Sequence, residues 1–173
     1  MNKNPLIAIA LTSLLCACVT PYVDPRTPEE QKAEFNGAIN ILHGDYIVKD
    51  SRNNDGGFTK VTITPDDKEG IMATFVTGNG DMFYVYGGEK CSGGYKPNTG
   101  YASLFCNNEK FGDHISMLEI RRVLTPETIP AGPGLFNYQA MKIEGGYYLN
   151  YYLGNNGRPH IYALEKKSPQ APH

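Results

Sequence analysis

From Asp45 onward the chain alternates apolar and polar residues with a period of two, in short runs separated by turn residues. Val61 and Ile63 are interleaved with Lys60 and Thr62, and Met141 and Ile143 flank Lys142. Tyr147, Leu149, Tyr151 and Leu153 share one face of a run whose other face carries Tyr148, Asn150 and Tyr152. The pattern predicts strands over Asp45–Asp50, Phe58–Thr64, Ile71–Thr77, Met82–Tyr86, Tyr101–Cys106, Ile115–Val123, Tyr138–Ile143, Tyr147–Leu153 and Ile161–Lys166. Asn54-Asp55-Gly56-Gly57, Asp66–Gly70, Asn79-Gly80, Gly145-Gly146 and Asn156-Gly157 lie between them, and these residue types tolerate the positive φ of tight hairpin turns. The longest link, Leu124–Leu135, contains Pro126, Pro130 and Pro133.

Ahead of the strands the period changes. Thr27-Pro28-Glu29-Glu30 is a helix start, with Thr as N-cap, Pro at the first helical position and Glu closing a capping box. Phe35, Ala38, Ile39 and Leu42 follow at helical spacing, and His43-Gly44 ends the run with glycine as the expected C-terminal cap. The narrow apolar stripe suits a helix that plugs or flanks the domain. The whole pattern predicts an all-β fold: an antiparallel meander forming a small β-barrel, preceded by one short helix, with a β-sandwich as the alternative. Closure into a barrel would remove the strand edges that invite aggregation.

The first residues belong to neither pattern. Pro5 to Leu15 is apolar apart from Thr12 and Ser13. That is shorter than the roughly 20 residues a bilayer core requires, but it suits the hydrophobic stretch of a signal peptide. Leu15-Cys16-Ala17-Cys18 then resembles the bacterial lipobox, with Leu15 three residues and Ala17 one residue before the modified cysteine. The resemblance implies cleavage before Cys18, acylation of Cys18 and loss of Cys16 with the signal. Val19 follows where an inner-membrane lipoprotein would carry Asp, which implies the outer membrane. The expected organisation is therefore a signal peptide over 1–17, a tether over 18–26, a helix over 27–43, a barrel domain over 44–167 and a tail over 168–173. A second resemblance is local: Gly44-Asp45-Tyr46 after a helix and before a meander is similar to the entry of lipocalin-like barrels, which implies a barrel and no particular ligand.

Export makes Cys91 and Cys106 a predicted disulfide. The spacing agrees independently. Their midpoint falls in Lys96-Pro97-Asn98-Thr99-Gly100, so a hairpin turning there sets the two cysteines opposite each other, within bridging distance.

Composition excludes more than it assigns. A formal charge of -2 lacks the basic surplus that nucleic-acid phosphates attract, so no nucleic-acid partner is expected. No nucleophile elbow, zinc-binding helix or phosphate loop is present, and no catalytic residue, metal ligand or cofactor is assigned. Asp113-His114 would point to opposite faces of a strand, which is poor geometry for a dyad; His43, His160 and His173 are scattered. The oxygen-rich turns Asn53-Asn54-Asp55 and Asp66-Asp67…Glu69 lack calcium-loop spacing and suit solvated hairpins. Tyrosine is the strongest binding signal, because an apolar ring with a hydrogen-bonding tip suits interfaces. Tyr84, Tyr86, Tyr148 and Tyr152 are the candidate surface, and Arg121-Arg122 puts one guanidinium on each face of its strand. The expectation is a non-enzymatic protein-binding module, membrane-anchored through Cys18, with an envelope protein as partner. A barrel carrying a small apolar ligand and an envelope hydrolase with a dispersed site are the alternatives.

Overall fold

The computed structural model describes residues 24–66, 70–87, 91–107, 115–129, 140–153 and 158–168. The lipobox, with Cys16 and Cys18, lies outside these residues, as do Asp67, Glu69, His114, Tyr138, His173 and the end of the predicted tail. No helix among the described residues is long and apolar enough to cross a membrane.

Helix α1 spans Pro28–Leu42 and starts as its sequence predicts: the Thr27 hydroxyl accepts from the Glu30 amide at 3.2 Å, and the Glu30 carboxylate accepts from the Thr27 amide at 2.7 Å. These bonds satisfy two of the donors that every helix start leaves open. Phe35, Ala38, Ile39 and Leu42 are buried on one face. His43 leaves the helix in extended conformation and Gly44, at φ +126°, turns the chain straight into the first strand.

Among the described residues eleven strands follow: β1 (Gly44–Arg52), β2 (Phe58–Pro65), β3 (Ile71–Thr77), β4 (Met82–Tyr86), β5 (Cys91–Lys96), β6 (Tyr101–Asn107), β7 (Ile115–Val123), β8 (Glu127–Ile129), β9 (Met141–Ile143), β10 (Gly146–Leu153) and β11 (Pro159–Lys166). Nine of them form one antiparallel sheet in the order β4-β3-β2-β1-β11-β10-β7-β6-β5, which curls into a half-barrel. The expected small barrel behind a short helix is thus the observed architecture. Among the described residues the one other sheet is the two-stranded β8–β9, so the main core is enclosed by the curl of a single sheet and not by the two facing sheets of a sandwich. Antiparallel neighbours alternate in direction, so β4 and β5, at opposite ends of the order, run the same way. Gly87, after β4, and Cys91, which opens β5, thus belong to opposite ends of the strand order. A Cβ on Gly87 would lie 3.0 Å from Cys106 Sγ, so curling brings the end of β4 against β6.

The strand predictions hold within a residue or two for β1–β4, β6, β7, β10 and β11. β9 is only Met141–Ile143, shorter at its start than the predicted Tyr138–Ile143. β8 was not expected; it sits inside the proline-rich link, and three residues are too few to show a period.

Cys91 and Cys106 are directly opposed across the β5–β6 hairpin and disulfide-bonded, with Cα atoms 4.2 Å apart. The hairpin turns where the spacing placed it: Thr99 N donates to Lys96 O and Gly100 N to Pro97 O, with Gly100 at φ +69°.

The concave side holds the main core. Phe75 of β3 meets Tyr151 of β10 at 5.2 Å and Tyr162 of β11 at 5.3 Å between ring centres, contacts that a flat sheet would forbid. α1 lies over β5 and β6 on this side, and a Cβ on Gly93 would fall 2.6 Å from the Phe35 backbone. Tyr46 is fully buried and its hydroxyl donates to the last-turn carbonyl of Leu42 at 2.5 Å, tying helix to sheet. A second, smaller core lies on the convex side, where Ile129 of β8 with Met141 and Ile143 of β9 accompany Val123, Tyr148, Ile161 and Ala163.

Candidate binding surface

The convex side of the sheet has two unlike halves. Over β7, β10 and β11 the chain covers its own sheet with the β8–β9 hairpin. Over β1–β4 no described segment forms a second core, and four of the exposed large apolar side chains, Ile47, Met82, Tyr84 and Tyr86, lie there, while Phe105 and Leu124 are exposed elsewhere. Registers across β1–β4 align Ile47, Lys60, Val76 and Met82 in one row, Asp45, Thr62, Thr74 and Tyr84 in the next, and Thr64, Met72 and Tyr86 in the third. Ile47 is 42% exposed, Met82 61%, Tyr84 57% and Tyr86 36%. Scattered apolar side chains are ordinary on protein surfaces; a cluster along one strand and its neighbours marks a place where something binds.

β4 builds this patch from an uncharged strand. Its even-numbered residues point to the convex side, while Val85 is buried and Phe83 points into the half-barrel. Phe83 is nevertheless 37% exposed, stacked on Phe58 at 5.8 Å. The Tyr84 hydroxyl contacts Met82 Sδ at 3.2 Å, and the Tyr86 hydroxyl donates to Asp66 at 2.5 Å.

The structure does not bring the four predicted tyrosines together. Tyr84 and Tyr86 lie on β4, and Tyr148 and Tyr152 on β10, five strands away in the sheet order. Tyr148 is 4% exposed, which removes it from the surface: it sits in the convex core with the Arg121 guanidinium 4.7 Å over its ring. Burial pushes its hydroxyl pKa up, with the Glu119 carboxylate adding to the shift. Tyr152 is half-buried on the same face. The residues the sequence reading missed are Ile47, Met72, Val76 and Met82. A signal existed, since Asp81 is the one charged residue between Ile71 and Tyr86.

The polar clusters are structural in form. Arg121 joins Glu119 at 3.2 Å to Glu127 of β8 at 2.6 Å, linking the convex hairpin to the sheet. Burial raises the Glu119 pKa, and the Arg121 charge opposes that rise. Arg122 points to the other face, where its guanidinium donates to the Gly100 carbonyl at 3.4 Å. His160 stacks on Tyr151 at 4.5 Å with Nδ1 on the Asn53 carbonyl, and His43 Nδ1 sits on the Ile39 carbonyl. Among the described residues no group of three or more His, Cys, Asp or Glu could hold a metal ion. The concave interior is filled by Tyr46, Phe75, Tyr151, Tyr162 and Leu42. No family model, no curated protein and no solved structure matches the chain significantly.

Proposed function

We propose that the chain is a lipoprotein held at the outer membrane through an acylated Cys18, and that its domain binds another envelope protein, without catalysis, through the convex face of β1–β4. The observation that carries the binding reading is the exposed row of Met82, Tyr84 and Tyr86, with Ile47 three strands inward on the same face, on the half of the sheet where no described segment forms a second core. Amphipathic rings and a flexible thioether are the side chains that protein interfaces favour. The packed interior supports binding by the outside of the barrel over carriage of a ligand within it. Several acyl chains on Cys18 would give stable anchoring where one gives only marginal binding.

The test is crosslinking in cells, with a photoreactive residue in place of Tyr84 in the full chain, followed by purification of the adduct. One envelope protein is expected, its yield falling at least tenfold when Met82→Ser and Ile47→Ser are added. A yield indifferent to those substitutions would overturn the assignment of the face. The anchor is tested separately: Cys18→Ala should abolish uptake of labelled fatty acid and membrane partition, and an unlabelled native chain would remove the lipoprotein reading.

A further inference from the structure

We infer that the chain binds a small phosphate monoester in the cleft where the end of α1 meets the ends of β1 and β11, with Lys166 and Lys167 holding the phosphate. The inference goes beyond the convex binding face and stands whether or not that face binds a protein.

The cleft is open and about 650 Å³ in volume, lined by His43, Asp45, Ile47, Lys166, Lys167 and Ser168. Small-molecule sites are of this size, roughly 300–1,000 Å³. A helix C-terminus is by itself a poor place for an anion, because its free carbonyls form the negative end of the dipole. Here donors cover them. Ile39 O accepts from the His43 amide at 2.8 Å and from His43 Nδ1 at 2.7 Å. Leu42 O accepts from the Tyr46 hydroxyl, and Ile41 O accepts from Lys166 Nζ at 2.7 Å. The end of α1 therefore meets the cleft through an imidazole and an ammonium group.

The lysines are placed but not neutralised. The Lys166 stem crosses Gly44, where a Cβ would lie 3.0 Å from Lys166 Cε, and its Nζ sits 5.9 Å from the centre of the Tyr46 ring. The Lys167 amide donates to Asp45 O at 2.8 Å, just beyond the Tyr46–Lys166 pair of β1 and β11. Glu165, the carboxylate before them, is taken by Lys49 at 2.8 Å. The Asp45 carboxylate accepts from the Thr62 hydroxyl at 2.6 Å. Among the described residues no carboxylate pairs with Lys166 or Lys167. Burial lowers the Lys166 pKa, and no neighbouring charge offsets the lost hydration.

The charge fixes the class of ligand. A phosphate monoester carries about −1.5 to −2 at neutral pH, which two ammonium groups balance; a carboxylate would balance one. The planar fork of arginine suits carboxylates, whereas lysine serves phosphate as a point charge. Among the described residues no arginine lines this cleft. Ser168 adds a hydroxyl donor, and the exposed Ile47 gives an apolar wall for the body of the ester.

Phenyl phosphate, titrated into the full chain in detergent and read by phosphorus NMR, tests this. Saturable binding is expected, weakened roughly tenfold or more by Lys167→Ala and unchanged by Lys96→Ala, which removes the same charge at the far edge of the sheet. Benzoate, with one charge on the same ring, should compete poorly. Ile47→Ser should weaken phenyl phosphate and leave inorganic phosphate unchanged. Binding that does not saturate, benzoate equal to phenyl phosphate, or equal losses from Lys96→Ala and Lys167→Ala would overturn the site. Two competitors separate the sources of the phosphate. Displacement of phenyl phosphate at lower concentration by dihexanoyl phosphatidic acid than by glycerol 3-phosphate assigns it to a lipid head group, and the reverse order assigns it to a soluble ester; either order upholds the cleft.

Discussion

Single atoms decide two features of this molecule. The first is the missing Cβ of Gly93, where β5 runs under α1. An added methyl would meet the Phe35 backbone, not a side chain that could swing away, so the helix itself must lift. Gly93→Ala is expected to cost about 1–3 kcal/mol, as overpacking in a tight core does. Gly78→Ala, whose Cβ would have nothing within 4 Å, should leave the urea midpoint unchanged. The second is the Glu119 carboxyl, faced by Arg121 on its own strand, Glu127 on β8, and Tyr148 and Asn150 on β10. Burial raises its pKa, so in the window just above the ordinary glutamate range the folded chain holds a proton that the unfolded chain has released. Stability from this group is whole below that window and falls as pH rises through it. Glu119→Gln should flatten that slope, read as urea midpoints from acid to neutral pH; an unchanged slope would assign the dependence elsewhere.

At the scale of elements, the parts that local chemistry specifies are the parts that were legible. The capping box set the start of α1, and the turn at Lys96–Gly100 set the register that opposes Cys91 and Cys106. The disulfide closes a separation of 15 residues, for which the chain-entropy model gives roughly 3 kcal/mol. Cys91→Ser with Cys106→Ser should lower unfolding free energy by about that amount. Hydrogen exchange in β5 and in the helix resting on it should speed up first. A double variant as stable as the native chain would show the bridge to be dispensable. β9 was legible from the alternation of Met141, Lys142 and Ile143, but β8 was not, because three residues carry no readable period and the convex core it shares with β9 forms only against β7, β10 and β11.

At the scale of the molecule, two meanders, β1–β4 and β5–β7 with β10 and β11, meet where β11 pairs with β1. They also share one aromatic core, since Phe75 of the first touches Tyr151 and Tyr162 of the second. Far-ultraviolet and tyrosine near-ultraviolet signals should therefore unfold together in a single transition. Separated transitions would show two units in place of one. What the sequence by itself determined is whatever repeats or closes locally: the helix and its cap, most of the strands, the paired cysteines and which side chains share a face. Period two says that Tyr148 and Tyr152 point one way and Leu149 and Tyr151 the other. It does not say what stands opposite each face. The tertiary structure decided that: it buried Tyr148 beneath the β8–β9 hairpin and left Tyr84 exposed on the strand that ends the sheet order. The curl of the sheet and the order of its strands depend on contacts between residues far apart in the chain, and such contacts leave no local pattern.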